Sequence, residues 1–207
     1  TSIILMRHGE TAWNRERRVM GSSDVPLCAD GRRQSEHVAK VLEGFKVDRV
    51  VTSPLVRAVE SARIVCDRLG VELEEDEDLA EVRFGRWQGM TYDEIRLEDD
   101  YGRFLQDPIN TPTPGGETVV DVQARARKAL ARAAAGQRVL FVSHGDIIRT
   151  AICDFLGLGL EEFRRIRVDN CGLTAVARAG RHIEVKFVNV LADPERSWDP
   201  VHWSTRT

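Results

Sequence analysis

The sequence is short of lysine: 26 of its 30 basic residues are arginine. That imbalance reads as composition bias rather than phosphate recognition spread over the whole surface. Paired cysteines are missing too. Cys28, Cys66, Cys153 and Cys171 are widely spaced with no CxxC pair, which argues against a cysteine-built zinc site or a vicinal redox pair and predicts reduced, packed thiols. No stretch approaches the roughly 18 continuous apolar residues of a membrane span, and the opening residues lack the basic-then-apolar pattern of a secretory leader. The chain is therefore expected to have no membrane contact and to be cytoplasmic. There is no excess of positive charge, either. A net charge of −3 gives no overall attraction to nucleic acid, so none is expected as a partner, and any anion must be held by a local cluster. Repeats, low-complexity tracts and domain-length linkers are absent, and 207 residues suit one domain large enough to cover a sheet.

What is present is a device used twice. The apolar run Ile3-Ile4-Leu5 ends in Arg7-His8-Gly9, and the run Val139 to Val142 ends in Ser143-His144-Gly145. Each reads as a buried strand delivering an imidazole to the edge of a sheet, with glycine freeing the backbone to turn. Between them the chain alternates. Gln34, Val38, Val41, Leu42 and Phe45 fall at helical spacing, and 49–52 is a compact strand. Ser53 as N-cap and Pro54 in the first helical position then open a helix striped by Leu55, Val59, Ala62, Val65 and Leu69. Residues 72–78 form an acidic strand leaving the core, and 79–89 an ordered loop mixing glycine, aromatics and charge. Short helices are expected at 91–98 and 101–106, followed by a proline-rich loop over 107–116. Thr118 caps a helix that Gly136 closes. After the second strand an apolar helix runs through Ile147, Ile148, Ala151, Ile152 and Phe155, and 171–177 and 183–190 form a hairpin about Gly180. This alternation predicts an α/β fold: a three-layer α/β/α sandwich whose sheet is mainly parallel with one antiparallel strand. Residues 1–190 would be the catalytic domain, and 191–207, with Trp198, His202 and Trp203, a docked arm or a loose tail. The exposed face of the hairpin admits a monomer or a homodimer.

Ligands of open α/β sheets gather beyond the carboxyl ends of the strands. Two histidines and two arginines, Arg7 and Arg57, are offered there, and a phosphoryl dianion best matches that charge. Arg57 falls in the first turn of its helix, near the positive end of the macrodipole. Arg7 beside His8 disfavours the imidazolium, and a neutral imidazole is a usable nucleophile. The leaving alkoxide needs a proton, for which Glu81 is the candidate, while Glu10 and Glu117 are read as residues orienting the motifs. No metal or other cofactor is required, because arginines meet the charge a metal would meet. Arg83, Phe84 and Trp87 would line the mouth and suit a small phosphorylated metabolite. His37 and His182 read as solvent-exposed.

These segments together resemble the histidine phosphatase superfamily. The resemblance is carried by RHGETAWN at 7–14, GSSDVPL at 21–27, TSPLVRAVESA at 52–62, EVRFGRWQG at 81–89, PGGET at 114–118 and SHGDIIR at 143–149. It implies a phosphoglycerate mutase-like fold, with His8 as the phosphorylated nucleophile, Arg7, Arg57 and His144 as the phosphate pocket and Glu81 as proton donor. It implies further phosphate or substrate contacts at Asn14, Met20, Gly21 and Gly145. The mutase branch carries a long basic insertion after the proton-donor loop, where this sequence has only the acidic, proline-rich 97–113. The FGRWQG and PGGET segments are similar to the phosphatase branch, which includes α-ribazole phosphatase. The expected activity is a phosphomonoester hydrolase working through phosphohistidine. The alternatives are a cofactor-dependent phosphoglycerate mutase and a non-catalytic phosphate-binding or interaction module.

Overall fold

Side chains along β1 (Ser2–Arg7) alternate between two cores, and this alternation builds the layers. In the computed structural model, which describes residues 1–192, the chain then passes through α1 (Ala12–Arg15), α2 (Ala29–Leu42), β2 (Arg49–Thr52), α3 (Val56–Leu69) and β3 (Leu73–Glu75). It continues through α4 (Tyr92–Ile95), α5 (Asp99–Gln106), α6 (Val119–Ala131), β4 (Arg138–Ser143), α7 (Gly145–Leu156), β5 (Gly172–Ala179) and β6 (His182–Leu191). Ile3, Leu5, Val51, Val139 and Phe141 face α6 and α7, while Ile4, Met6, Val50, Leu140 and Val142 face α2 and α3. The fold is thus the α/β/α sandwich expected from the sequence.

The six strands lie in the order β3-β2-β4-β1-β5-β6. The first four are parallel, and β5 runs antiparallel to both of its neighbours. Strands β1 and β4 are buried at nearly every position, as a sheet covered on both faces requires, whereas the edge strand β6 alternates exposed with half-buried. Thr118 caps α6 with a reciprocal bond pair to Asp121, and Gly70 closes α3 in the left-handed conformation at φ 67°.

Three local expectations are corrected. Helix α3 begins at Val56 with Leu55 as its cap, because Leu55 is still in an extended conformation and the Ser53 hydroxyl turns toward His144. The buried stripe of α2 is Gln34, Ser35, Val38, Ala39 and Leu42. Val41 lies about 100° away from Leu42 around the helix, and Phe45 falls beyond the helix end, leaving them 42% and 48% exposed. Helix α6 stops at Ala131, and Gly136, at φ 83°, belongs to the turn entering β4. The four cysteines, all among the described residues, form no disulfide with one another, and Cys66, Cys153 and Cys171 are buried. His37 and His182 are exposed. Trp198, His202 and Trp203 lie outside the described residues. Among those described, no helix is long and apolar enough to cross a membrane.

Candidate active site

The register of the two central strands places the two histidines side by side. Arg7 of β1 pairs with Ser143 of β4, so His8 and His144 leave the sheet at the same level. The His8 amide donates to the Ser143 carbonyl at 3.0 Å. The two imidazoles are buried, with centroids 5.1 Å apart and planes at 55°. The turn after His8 is held by α2 and α3. A Cβ on Gly9 would lie 2.3 Å from the Gly31 carbonyl oxygen, and the Gly9 amide donates to Ser61 Oγ at 2.9 Å. Only glycine permits so close an approach of two backbones.

Both arginines are anchored by their terminal nitrogens. Arg57, fully buried in the first turn of α3, donates Nη1 to the Ser23 carbonyl at 2.8 Å and Nη2 to the Gly21 carbonyl at 2.7 Å. Arg7 Nη1 donates to the Val168 carbonyl at 2.7 Å. Their Nε atoms, and Nδ1 of His144, are buried without a hydrogen-bond partner among the described residues. Buried donors are normally satisfied, so unmatched nitrogens on three separate elements mark a place for acceptor oxygens.

The protonation states follow from the wiring. His8 Nδ1 lies 2.7 Å from the Gly9 carbonyl oxygen. A carbonyl can only accept, so Nδ1 carries the proton and Nε2 keeps its lone pair in the neutral ring. Burial first, then Arg57 and Arg7, hold His8 well below the usual imidazole range. His144 is lowered for the same reasons, with the Ser53 hydroxyl 2.7 Å from its Nε2. Glu81 moves the other way. Burial, reinforced by Asp146, raises its carboxyl to about 7 against the opposing pull of the Val82 amide, Arg57 and Arg7. Its Oε1 accepts from that amide at 3.0 Å.

Glu81 sits on a braced loop. Arg125 donates Nη2 to the Glu81 carbonyl at 3.2 Å and forks onto Glu117, which also accepts the Arg83 amide at 2.9 Å. Gly145, the first residue of α7, is where the acid approaches: a Cβ there would meet Arg149 Nη1 at 3.2 Å and Glu81 Oε2 at 3.9 Å.

The structure thus groups Arg7, His8, Arg57, Glu81 and His144. Asn14 spends its oxygen in the capping box of α1 and accepts from Asn170 at 3.3 Å. Met20 is buried with its sulfur on the Thr11 hydroxyl, and Gly21 orients Arg57 through its carbonyl. Arg83 is exposed and ion-paired with Glu117, and Phe84 is half-buried between two cores. Trp87 does not line a mouth: it is 2% exposed, packed edge-on against Phe104 and Tyr101, because α5 folds over it.

Sequence reasoning missed three contributors. Ser53 and Ser61 lie inside a quoted motif, so a signal existed. Asn170, which donates to the His8 carbonyl at 3.1 Å, has none, because 162 residues separate the pair. Among the described residues the one grouping with metal-ligand spacing is Glu10, Cys28 and Asp30, and Arg15 ion-pairs with both acids. A cavity of about 240 Å³ lined by Arg49, Glu74, Asp76 and Arg132 contains none of the grouped residues, and its charges pair with one another.

Paired histidines and buried arginines at parallel strand ends define a class of phosphoryl-handling enzymes. The histidine phosphatase superfamily (branch 1) matches residues 3–191, and the chain belongs to that superfamily of phosphatases and mutases. It is 34% identical over 180 residues to a probable phosphoglycerate mutase GpmB of Klebsiella pneumoniae, covering 84% of this chain and 83% of that protein. Bacillus stearothermophilus YhfR shares 34% identity at a TM-score of 0.84, over 89% of this chain and 95% of that one. A putative alpha-ribazole-5'-P phosphatase from Escherichia coli shares 26% at 0.84, over 91% and 96%.

Proposed function

We propose that the chain is a metal-independent phosphomonoester hydrolase that works through a phosphohistidine on a small metabolite phosphate. The observation that carries this reading is the convergence of Arg7 Nε, Arg57 Nε and His144 Nδ1, all buried and unmatched, around a neutral His8. Three donors aimed where phosphoryl oxygens would lie stabilise the charge of an in-line displacement. With Ser53 donating to Nε2, His144 presents Nδ1–H. His8 Nε2 attacks phosphorus as the bond to the leaving oxygen breaks, and Glu81 gives its proton to that oxygen. The Glu81 carboxylate then takes a proton from water, whose oxygen displaces His8 and releases inorganic phosphate. A carboxyl near 7 serves both half-reactions, because neither protonation state is costly at neutral pH.

A mutase reading has one specific support, the likeness to proteins named probable phosphoglycerate mutases. Against it, the stretch 97–113 after the Glu81 loop is short and acidic, with the one helix α5 and no long basic insertion to enclose a phosphoenzyme. Incubation with p-nitrophenyl phosphate and, separately, with 3-phosphoglycerate tests both. Release of inorganic phosphate from each supports the hydrolase. Conversion of 3-phosphoglycerate to its isomer without phosphate release would replace it by the mutase. Binding of phosphate with no turnover of either would leave only a phosphate-binding module.

A further inference from the structure

The backbone of the nucleophile is held from residues 168–171, a segment leading into β5 that takes no part in the proposed chemistry. The Val168 carbonyl accepts Arg7 Nη1 at 2.7 Å, and Asn170 Nδ2 donates to the His8 carbonyl at 3.1 Å. The Cys171 amide is shared between the Arg7 and His8 carbonyls, at 3.0 and 3.3 Å. Behind the segment stands Asn189 of β6, which accepts the Asp169 amide and donates to the Asp169 carboxylate, each at 2.8 Å. Cys171 at φ 58° and Asn189 at φ 54° are two of the three non-glycine residues with positive φ among those described. Left-handed backbone at such residues persists only where the surroundings over-determine it, and two instances in one brace point to a segment whose position matters.

Within that brace Asn170 makes two connections with one amino group. Besides the His8 carbonyl it donates to Asn14 Oδ1 at 3.3 Å, an atom that also accepts the Thr11 amide at 2.9 Å. A backbone N–H can only donate, so this atom is the oxygen of Asn14. The Asn14 amino group is therefore turned the other way, and it makes no hydrogen bond among the described residues. The His8 carbonyl belongs to the peptide whose amide goes to Ser61, and the next carbonyl, of Gly9, takes His8 Nδ1. Fixing the first carbonyl thus aims the ring. We propose that Asn170 is a positioning residue of the phosphoryl pocket: it aims His8 Nε2 through the His8 carbonyl and, by holding Asn14 Oδ1, turns the Asn14 amino group to a phosphoryl oxygen. The inference rests on the phosphoryl-transfer reading of the site and adds the residue that sets two of its parts.

The test is a double-mutant cycle of Asn170→Ala and Asn14→Ala, read as the Kd of inorganic phosphate by phosphorus NMR and as kcat on p-nitrophenyl phosphate. In the parent, Asn170→Ala should weaken phosphate about tenfold, the worth of one hydrogen bond to a charged group. It should also lower kcat about 10–100-fold, by analogy with groups that orient a working side chain. On the Asn14→Ala background it should leave the phosphate Kd within about twofold while still lowering kcat, because only the His8 connection remains. An equal loss of phosphate affinity in the two backgrounds, as a loosened β5 entrance would give, overturns the proposal, and so does an unchanged Kd or kcat in the parent background. Where Asn170→Ala fails to fold, Asn170→Asp takes its place, having the same shape without the amino group. Its charge acts alike in both backgrounds, so the difference between them decides. If the parent binds phosphate without turning over p-nitrophenyl phosphate, the hydrolase reading fails by itself and the Kd cycle decides the role of Asn170. A parent that binds no phosphate would remove the pocket and the proposal together.

Discussion

The ends of β1 and β4 are written almost alike, Arg-His-Gly and Ser-His-Gly, and sit in register, yet their imidazoles are wired in opposite senses. At β1 the next carbonyl takes Nδ1 of His8 and leaves Nε2 bare. At β4 a serine from the neighbouring strand's end takes Nε2 of His144 and leaves Nδ1 unmatched. In the proposed mechanism that wiring suits one ring to attack and the other to hold. The lesson is that a motif delivers a side chain, while the partner on its far nitrogen assigns the work.

Exchanging the two rings for alanine should break that comparison most sharply. His8→Ala should lose turnover to background together with acid-labile phosphoryl labelling, and labelling that persists would move the nucleophile elsewhere. His144→Ala should still be labelled, with kcat reduced about 10²–10³-fold, the effect of removing one donor to a developing anion.

Glu81→Gln sharpens the same contrast from the side of the acid. It should slow alkyl phosphates about 10²–10⁴-fold and p-nitrophenyl phosphate far less, since an activated leaving group needs no proton. In the parent, phosphorylation needs Glu81 protonated and His8 neutral. The kcat/KM of alkyl phosphates, which reports that first step, should therefore fall as pH rises through about 7 and hold on the acid side to well below 6.5, whereas dephosphorylation, which needs the Glu81 carboxylate, should slow below about 7. Stability obeys the same sign. A carboxyl raised from 4.5 to about 7 binds its proton more tightly folded than unfolded, so stability falls as pH climbs through that window. Glu81→Gln should accordingly melt higher than the parent at pH 8, by roughly 1–3 kcal/mol in stability, and a lower melting point would contradict the burial argument. The smallest effect is expected at the wiring itself. Ser53→Ala, which frees the far nitrogen of His144, should cost about 10–100-fold by analogy with groups that orient a working imidazole. It should leave the leaving-group dependence as it was.

Much of this site was legible in the chain. Apolar runs broken by His-Gly announced both strand ends, and the alternation of strand and helix announced the sandwich, because buried parallel strands must be apolar on both faces. The acid was legible through its loop, whose glycines and aromatics marked order rather than solvation. Helix edges were less so. Ser53 reads locally as a cap, and its oxygen does accept the Leu55 amide at 3.3 Å, but only the imidazole beside it shows that the hydroxyl also meets His144. Trp87 reads as a rim residue until α5 is seen to cover it. Asn170 carries no local pattern at all.

The sequence by itself determined which side chains emerge at the strand ends, since side-chain alternation and the turn at glycine are short-range properties of the backbone. Tertiary structure alone decided which nitrogen of each ring is free and why Glu81 holds its proton to about 7. Those depend on burial and on fields from residues brought near through space, and neither quantity is a property of neighbours along the chain.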